Sequence, residues 1–313
     1  REIVRRLVKD ADALIEGFRP GVMERLGLGP QALAEINPRL VFGRMTGFGQ
    51  DGPMAPRAGH DINYIALTGA LHAIGHKGGP PLPPLNLIGD YGGGGMLLAF
   101  GVVCAILEAR SSGKGQVVDA AMVDGGSVLM AAIYGFLGSG MWRHERGVNI
   151  LDSGAPYYNV YETKDGKWVS IGSIEKRFYA DLLERLGIAG ENLPKQHDRA
   201  GWPTLAKRYA EVFRTRTRDE WTAIFADSDS CFAPVLAMKE VGAHPHNVAR
   251  ATFIERDVVV QPAPCPRFSR TPPEIAGPSK AAGTDSEAVL KAAGYSPSEI
   301  ASFIERGIVS KPR

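Results

Sequence analysis

Across residues 3–121, short runs of strand character alternate with runs of helical period, and this alternation most restricts the folds open to the chain. Residues 13–16, 40–45 and 116–120 read as strands, with helical patterns between them at 21–26, 30–36, 60–70 and 92–110. Strands separated by helices favour a largely parallel sheet, because a parallel pair needs a crossover long enough to hold a helix. The expected class is therefore α/β, a Rossmann-like domain whose ligands lie outside the carboxyl ends of the strands. Arg19, in Arg19-Pro20-Gly21, and Arg44, in Gly43-Arg44-Met45, both stand at such ends. Each is a candidate phosphate contact, a solvent-exposed arginine being the ordinary alternative.

The residue types with most chemistry gather in 58–95. His60 and Asp61 open an apolar helical run that includes Asn63 and Tyr64. A Pro/Gly loop follows, and then Gly89-Asp90-Tyr91-Gly92-Gly93-Gly94-Gly95 stands at the mouth of a second apolar helix. Lacking Cβ atoms, Gly92 and Gly93 let backbone N–H groups approach a ligand, and a helix start adds its positive dipole end. Such a site can hold a developing oxyanion without a metal. His60 and Asp90 are both able to take or give a proton, so the set suits proton abstraction beside a carbonyl. Each feature also has a structural reading: Asp90 as an N-cap, the glycines as tight packing, His60 as a satisfied structural group, Asp61 and Asn63 as caps.

Further along, residues 123–137 read as a long apolar helix and periodicity is lost around 147–158. A hairpin is expected from 158–163 and 167–172 about Asp165-Gly166, where alternating aromatic and β-branched residues flank an Asp-Gly turn. Glu175 follows directly and opens a helix, a place where the dipole favours a carboxylate. Helical patterns at 178–186, 204–214 and 217–226 and a strand at 231–236 complete a smaller α+β segment. The expected organisation is a discontinuous large domain of 1–125 and 264–313, a linker over 126–157, the small domain over 158–243 and a returning linker over 244–263. Short helices at 286–293 and 296–305 close the chain.

Three widely spaced cysteines, Cys104, Cys231 and Cys265, argue against a disulfide framework or a zinc site, and fit a reducing, cytoplasmic setting. A net charge of +2 and the lack of a basic stripe interleaved with aromatics give no reason to expect nucleic acid. No apolar run reaches the roughly 20 residues that span a bilayer, the longest, 96–107, reading as a buried helix, so no membrane partner is expected. Lys311-Pro312-Arg313 is not a recognised retention or peroxisomal signal. The opening residues have helical periodicity from the first position with neither Met nor cap, the pattern of an N-terminally incomplete copy.

Four segments in order, AGHDINYIALTG from Ala58, PPLNLIGDYGGGG from Pro83, GKGQVVDAAMVDG from Gly113 and GAPYYNVYETKDGKW from Gly154, resemble the α-methylacyl-CoA racemase branch of the family III CoA-transferases. The resemblance covers essentially the whole chain. It implies the family III CoA-transferase fold, and additional strand-helix units ahead of the first residue. It also implies an interlocked homodimer, with sites between the large domain of one subunit and the small domain of the other. By residue-by-residue matching it makes His60 and Asp90 the acid/base pair on opposite faces of the substrate's α-carbon, and Glu175 the carboxylate that holds the histidine. Arg19 is matched to a coenzyme A contact, and Arg44, Asp61, Tyr64, Asn86, Gly92 and Gly93 are carried as further substrate contacts. The implied activity is inversion of 2-methyl-branched acyl-CoA thioesters, coenzyme A belonging to the substrate and no cofactor or metal being required. Two alternatives remain: a CoA-transferase in which Asp90 is the nucleophile, and an inactive acyl-CoA-binding fragment.

Overall fold

A computed structural model describes residues 1–256 and 259–310; Lys311-Pro312-Arg313 lies outside the described residues. The chain divides into two compact units. One comprises Arg1–Val160, Ile171–Val212 and Ser228–Cys231, the other Tyr161–Ser170, Phe213–Asp227 and Phe232–Arg313.

The first unit opens with α1 (Glu2–Leu7), β1 (Ala13–Glu16), α2 (Val22–Arg25), α3 (Pro30–Ala34) and β2 (Val41–Thr46), followed by the short helices α4 (Asp61–Ile65) and α5 (Ala70–Ala73). A ten-residue π-helix, Leu87–Met96, then runs directly into α6 (Leu97–Ser112), and β3 (Val117–Ala121) returns to the sheet. The strands lie in the order β1-β2-β3 and both pairs are parallel, Glu16 beside Arg44 and Thr46 beside Ala121. Side chains alternate across a strand, and successive residues of β2 show it. Phe42 joins Met23, Leu28 and Leu33 on one face, while Val41 joins Leu98, Val102 and Ala105 of α6 on the other. Full burial of a side chain such as Leu33 contributes about 1.5–3 kcal/mol. Helices on both faces of a parallel sheet are the α/β arrangement expected from the alternation of patterns.

Two helices differ from the expectation. The pattern at 60–70 breaks into α4 and α5 around Gly69, whose φ of 78° is left-handed. The helix expected from Gly92 begins five residues earlier and starts as a π-helix, so Asp90 lies within its first turns. A π-helix differs from an α-helix in its i→i+5 hydrogen bonds, and composition alone does not separate the two. The continuous helix Leu87–Ser112 has 26 residues and is long and apolar enough to cross a membrane, with 33% of its most apolar stretch buried inside the protein. Its outer face carries Met96, Phe100, Val103 and Leu107 at helical spacing, all exposed.

The helical run from residue 123 likewise divides, into α7 (Met122–Leu129) and α8 (Ala131–Gly138). The π-helix meets α7 backbone against backbone. A Cβ on Gly93 would come within 2.6 Å of the Gly126 nitrogen, and one on Gly125 would overlap the Gly93 carbonyl. Gly125→Ala is accordingly expected to cost at least 1–3 kcal/mol, roughly the range for overpacking. Gly135→Ala on α8, where an added Cβ meets nothing within 4 Å, is the matched control and is expected to melt no lower than the parent. Thermal melts of the two variants check the pair.

The predicted hairpin forms as β4 (Tyr158–Glu162) and β5 (Trp168–Gly172), turning at Gly166 with φ 71°. After it come α9 (Lys176–Arg185), α10 (Trp202–Phe213), α11 (Arg218–Ile224) and β6 (Phe232–Val235), which completes a three-stranded sheet of order β4-β5-β6. The segment 244–263, expected as a linker, instead carries α12 (Pro245–Ala249) and an antiparallel pair, β7 (Phe253–Arg256) and β8 (Val259–Pro262). Pro245 sits at the first turn of α12 and Pro262 at the end of β8, places where proline is tolerated. Two helices at the carboxyl end, α13 (Ser286–Ala292) and α14 (Pro297–Glu305), match the sequence expectation closely. In the second unit Arg218 is 6% exposed. It donates through both terminal nitrogens to Glu240, each at 2.8 Å, and holds that carboxylate's pKa down to about 2.

Candidate active site

A cavity of about 400 Å³ opens at the carboxyl ends of β1, β2 and β3. Gly17, Phe18 and Arg19 follow β1, Thr46, Gly47 and Phe48 end and follow β2, and Met122 follows β3. Arg57, Gly59, His60 and Tyr64 complete the wall. His60 is exposed and directly precedes α4, its backbone N–H donating to Asn63 Oδ1 at 3.1 Å. The imidazole is therefore at the mouth of the cavity while the main chain behind it is fixed. Tyr64, one turn along α4, packs edge-on against Phe48 with ring centroids 4.8 Å apart and donates its hydroxyl to the Gly59 carbonyl. Its ring fills the space that a side chain at Gly47 would need.

Asp90 is brought to His60 through Asp61. The Asp61 carboxylate is 2% exposed and accepts from the N–H groups of both Gly89 and Asp90 at 2.8 Å. It thus caps the π-helix rather than its own, and ties the residue next to His60 to the backbone of Asp90. Burial, and then the charge of Asp90, push the Tyr64 phenol above its ordinary pKa; Asp90 itself is not among the residues that line the cavity. Asn86, in the left-handed region at φ 61°, donates Nδ2 to Asp90 Oδ2 at 2.8 Å. A half-buried carboxylate with one donor on one oxygen keeps capacity for a second partner.

The remaining expected contacts divide. Arg19 lines the cavity, and Arg57, to which sequence reading gave no role, lines it too, so two cations flank the opening. Arg44 is 6% exposed: Nε donates to Glu16 at 2.8 Å, and its terminal nitrogens to Glu24 at 2.8 and 3.3 Å. Burial works against its charge, but the two carboxylates outweigh it and hold the guanidinium pKa above the ordinary value. Arg44, two residues before the end of β2, ties β2 to the last residue of β1 and to α2 and does not line the cavity. Its partner residues are 20 and 28 positions away, a separation no local pattern announces. Gly93 is buried against α7, and Gly92 lies inside the π-helix rather than ahead of it.

Glu175 lies three residues past the end of β5, immediately before α9. Its side chain is exposed and makes no capping hydrogen bond to its own helix, which leaves the carboxylate available. Ser173 and Gln196, whose side chains bond around the main chain that precedes Glu175, are buried polar groups that carried no sequence signal. Among the described residues no three His, Cys, Asp or Glu gather in a metal-binding group.

The model of CoA-transferase family III matches residues 1–286. The chain is 45% identical to the mouse alpha-methylacyl-CoA racemase over 300 residues, covering 95% of this chain and 79% of that protein. It is 42% identical to the human alpha-methylacyl-CoA racemase, covering 95% and 78%. Among solved structures, a CAIB/BAIF family protein from Brucella suis superposes with a TM-score of 0.77 at 27% identity, over 93% of this chain and 78% of that one.

Proposed function

This chain belongs to CoA-transferase family III, and from that premise we propose that it is an α-methylacyl-CoA racemase, interconverting (2R)- and (2S)-2-methylacyl-CoA thioesters by proton transfer between two bases. The observation that carries the reading is the tie between His60 and Asp90. His60, at the start of α4, is followed directly by Asp61, whose carboxylate accepts from the backbone N–H of Asp90 on the π-helix. The high identity to two racemases supports the substrate class.

Sulfur donates poorly into a thioester carbonyl, so the α-proton is acidic enough for ordinary side chains to remove. One base takes it from one face, giving an enolate, and the other, waiting protonated, returns a proton to the opposite face. In the reverse direction the two exchange roles, so one of the pair must be protonated and the other not. The N–H groups of Gly89 and Asp90 already donate to Asp61 and do not meet the enolate oxygen. The N–H groups of Asp61 and Ile62, the first two of α4 and directly after His60, are donors of the required kind. Arg19 and Arg57 flank the opening as partners for the phosphates of the coenzyme. The reaction as written calls for no cofactor.

Glu175 sets the tautomer of His60 and stabilises its imidazolium. The reading places this contact across a homodimer, between the large domain of 1–125 and 264–313 in one subunit and the small domain of 158–243 in the other. Two features favour such an assembly: the Glu175 carboxylate is not used on its own helix, and the Met96, Phe100, Val103, Leu107 stripe is uncovered. Three free, exposed cysteines agree with a reducing, cytoplasmic compartment.

The test is incubation of each 2-methylacyl-CoA epimer in deuterated water, with NMR at the α-position. Deuterium incorporation with both epimers converging on one mixture is the expected result. Movement of CoA to an added carboxylate without α-exchange would overturn it.

A further inference from the structure

The geometry points to Gln196 as a positioning residue for Glu175, an inference that rests on the role given to Glu175 above. The main chain entering Glu175 is held at successive residues. Gly172 N donates to the Cys231 carbonyl at 2.9 Å, and Ser173 N to the Tyr157 carbonyl at 2.9 Å. Ser173 Oγ donates to the Ser230 carbonyl at 2.5 Å. Gln196 Nε2 then donates to the carbonyls of both Ser173 and Ile174, at 3.0 and 2.8 Å. Both hydrogens of one buried amide are thereby used on the two carbonyls that immediately precede Glu175.

The amide is itself held from behind. Gln196 is 9% exposed, its backbone carbonyl accepts from Trp202 Nε1 at 2.9 Å, and neighbouring His197 Nδ1 lies 3.2 Å from the Tyr157 hydroxyl. Trp202 and Tyr157 are both buried, so the loop between α9 and α10 is a fixed support. The peptide planes that Gln196 grips are those that aim the Cα–Cβ bond of Glu175. A carboxylate that must reach an imidazole depends on that aim, because a misplacement of about 1 Å costs on the order of a hundredfold in rate. Without the two donors the Ser173 and Ile174 carbonyls lose their partners and the segment re-settles.

The test is a double-mutant cycle between Gln196→Met, which keeps the side-chain length but removes the donors, and Glu175→Gln. Gln196→Met alone is expected to lower kcat for epimerisation by about tenfold with KM within about twofold of the parent. In the Glu175→Gln background it should lower kcat no further, because the group it positions is already gone. An equal loss in both backgrounds, or an unchanged kcat in a folded Gln196→Met protein, overturns the positioning role while leaving the function of Glu175 intact. If Glu175→Gln alone leaves kcat unchanged, the reading of Glu175 fails and this inference with it. Should Gln196→Met not fold by circular dichroism, Gln196→Asn, one methylene too short to span both carbonyls, enters the same cycle with the same criteria.

Discussion

His60→Ala is expected to stop interconversion of the two epimers, lowering the rate by about 10²–10⁴-fold, the usual worth of a positioned acid/base group. The fold should not change. The imidazole is exposed at the cavity mouth, and the bond from Asn63 is made to the backbone nitrogen of residue 60, which alanine retains. Removing an exposed side chain of this kind usually alters stability by no more than about 0.5 kcal/mol. The variant is also diagnostic of the number of bases. With His60 gone, Asp90 still faces one side of the α-carbon, so residual deuterium exchange should persist for one epimer only and proceed without inversion. Unchanged interconversion in a folded His60→Ala protein would remove His60 from the chemistry.

How much of this was legible in the sequence depended on the range over which each interaction acts. The three parallel strands follow from local pattern, and β1 occupies the residues read for it. The Asp165-Gly166 hairpin follows from turn chemistry that needs only adjacent residues. What escaped was set by partners far along the chain. Asp61 was legible as a cap, and it is one, but it caps the π-helix 28 residues away rather than its own. That bond and its neighbour from Asp90 N–H change the meaning of Asp61 from a helix start to a link between the residue beside His60 and the backbone of Asp90. The glycines before α6 were legible as either a ligand cradle or close packing. For Gly93 the structure shows the packing, because α7 approaches with glycines of its own. Arg44 stood at a strand end where ligands bind, yet two carboxylates from β1 and α2 claim it first. The strands β7 and β8 pair with each other, and that pairing is not visible in the local pattern of 244–263, which reads as a linker.

Asp90→Asn is expected to abolish interconversion to the same extent, about 10²–10⁴-fold, and to do so on the opposite epimer from His60→Ala. Asparagine keeps the shape of the side chain. The bonds that place this residue run from its backbone N–H to Asp61, so the exchange of oxygen for nitrogen leaves them in force. Asn86 Nδ2, which donates to Asp90 Oδ2, can meet the amide oxygen of the variant instead. A melting temperature close to that of the parent therefore accompanies the loss. What remains should be deuterium exchange at the face served by His60, without inversion. The same variant separates racemase from transferase: if Asp90 were a nucleophile forming an acyl-enzyme, Asp90→Asn would end movement of CoA between carboxylates, and neither epimer would have shown α-exchange in the parent. Complementary retention of exchange, one epimer in His60→Ala and the other in Asp90→Asn, is an outcome that a single-base or covalent mechanism does not produce.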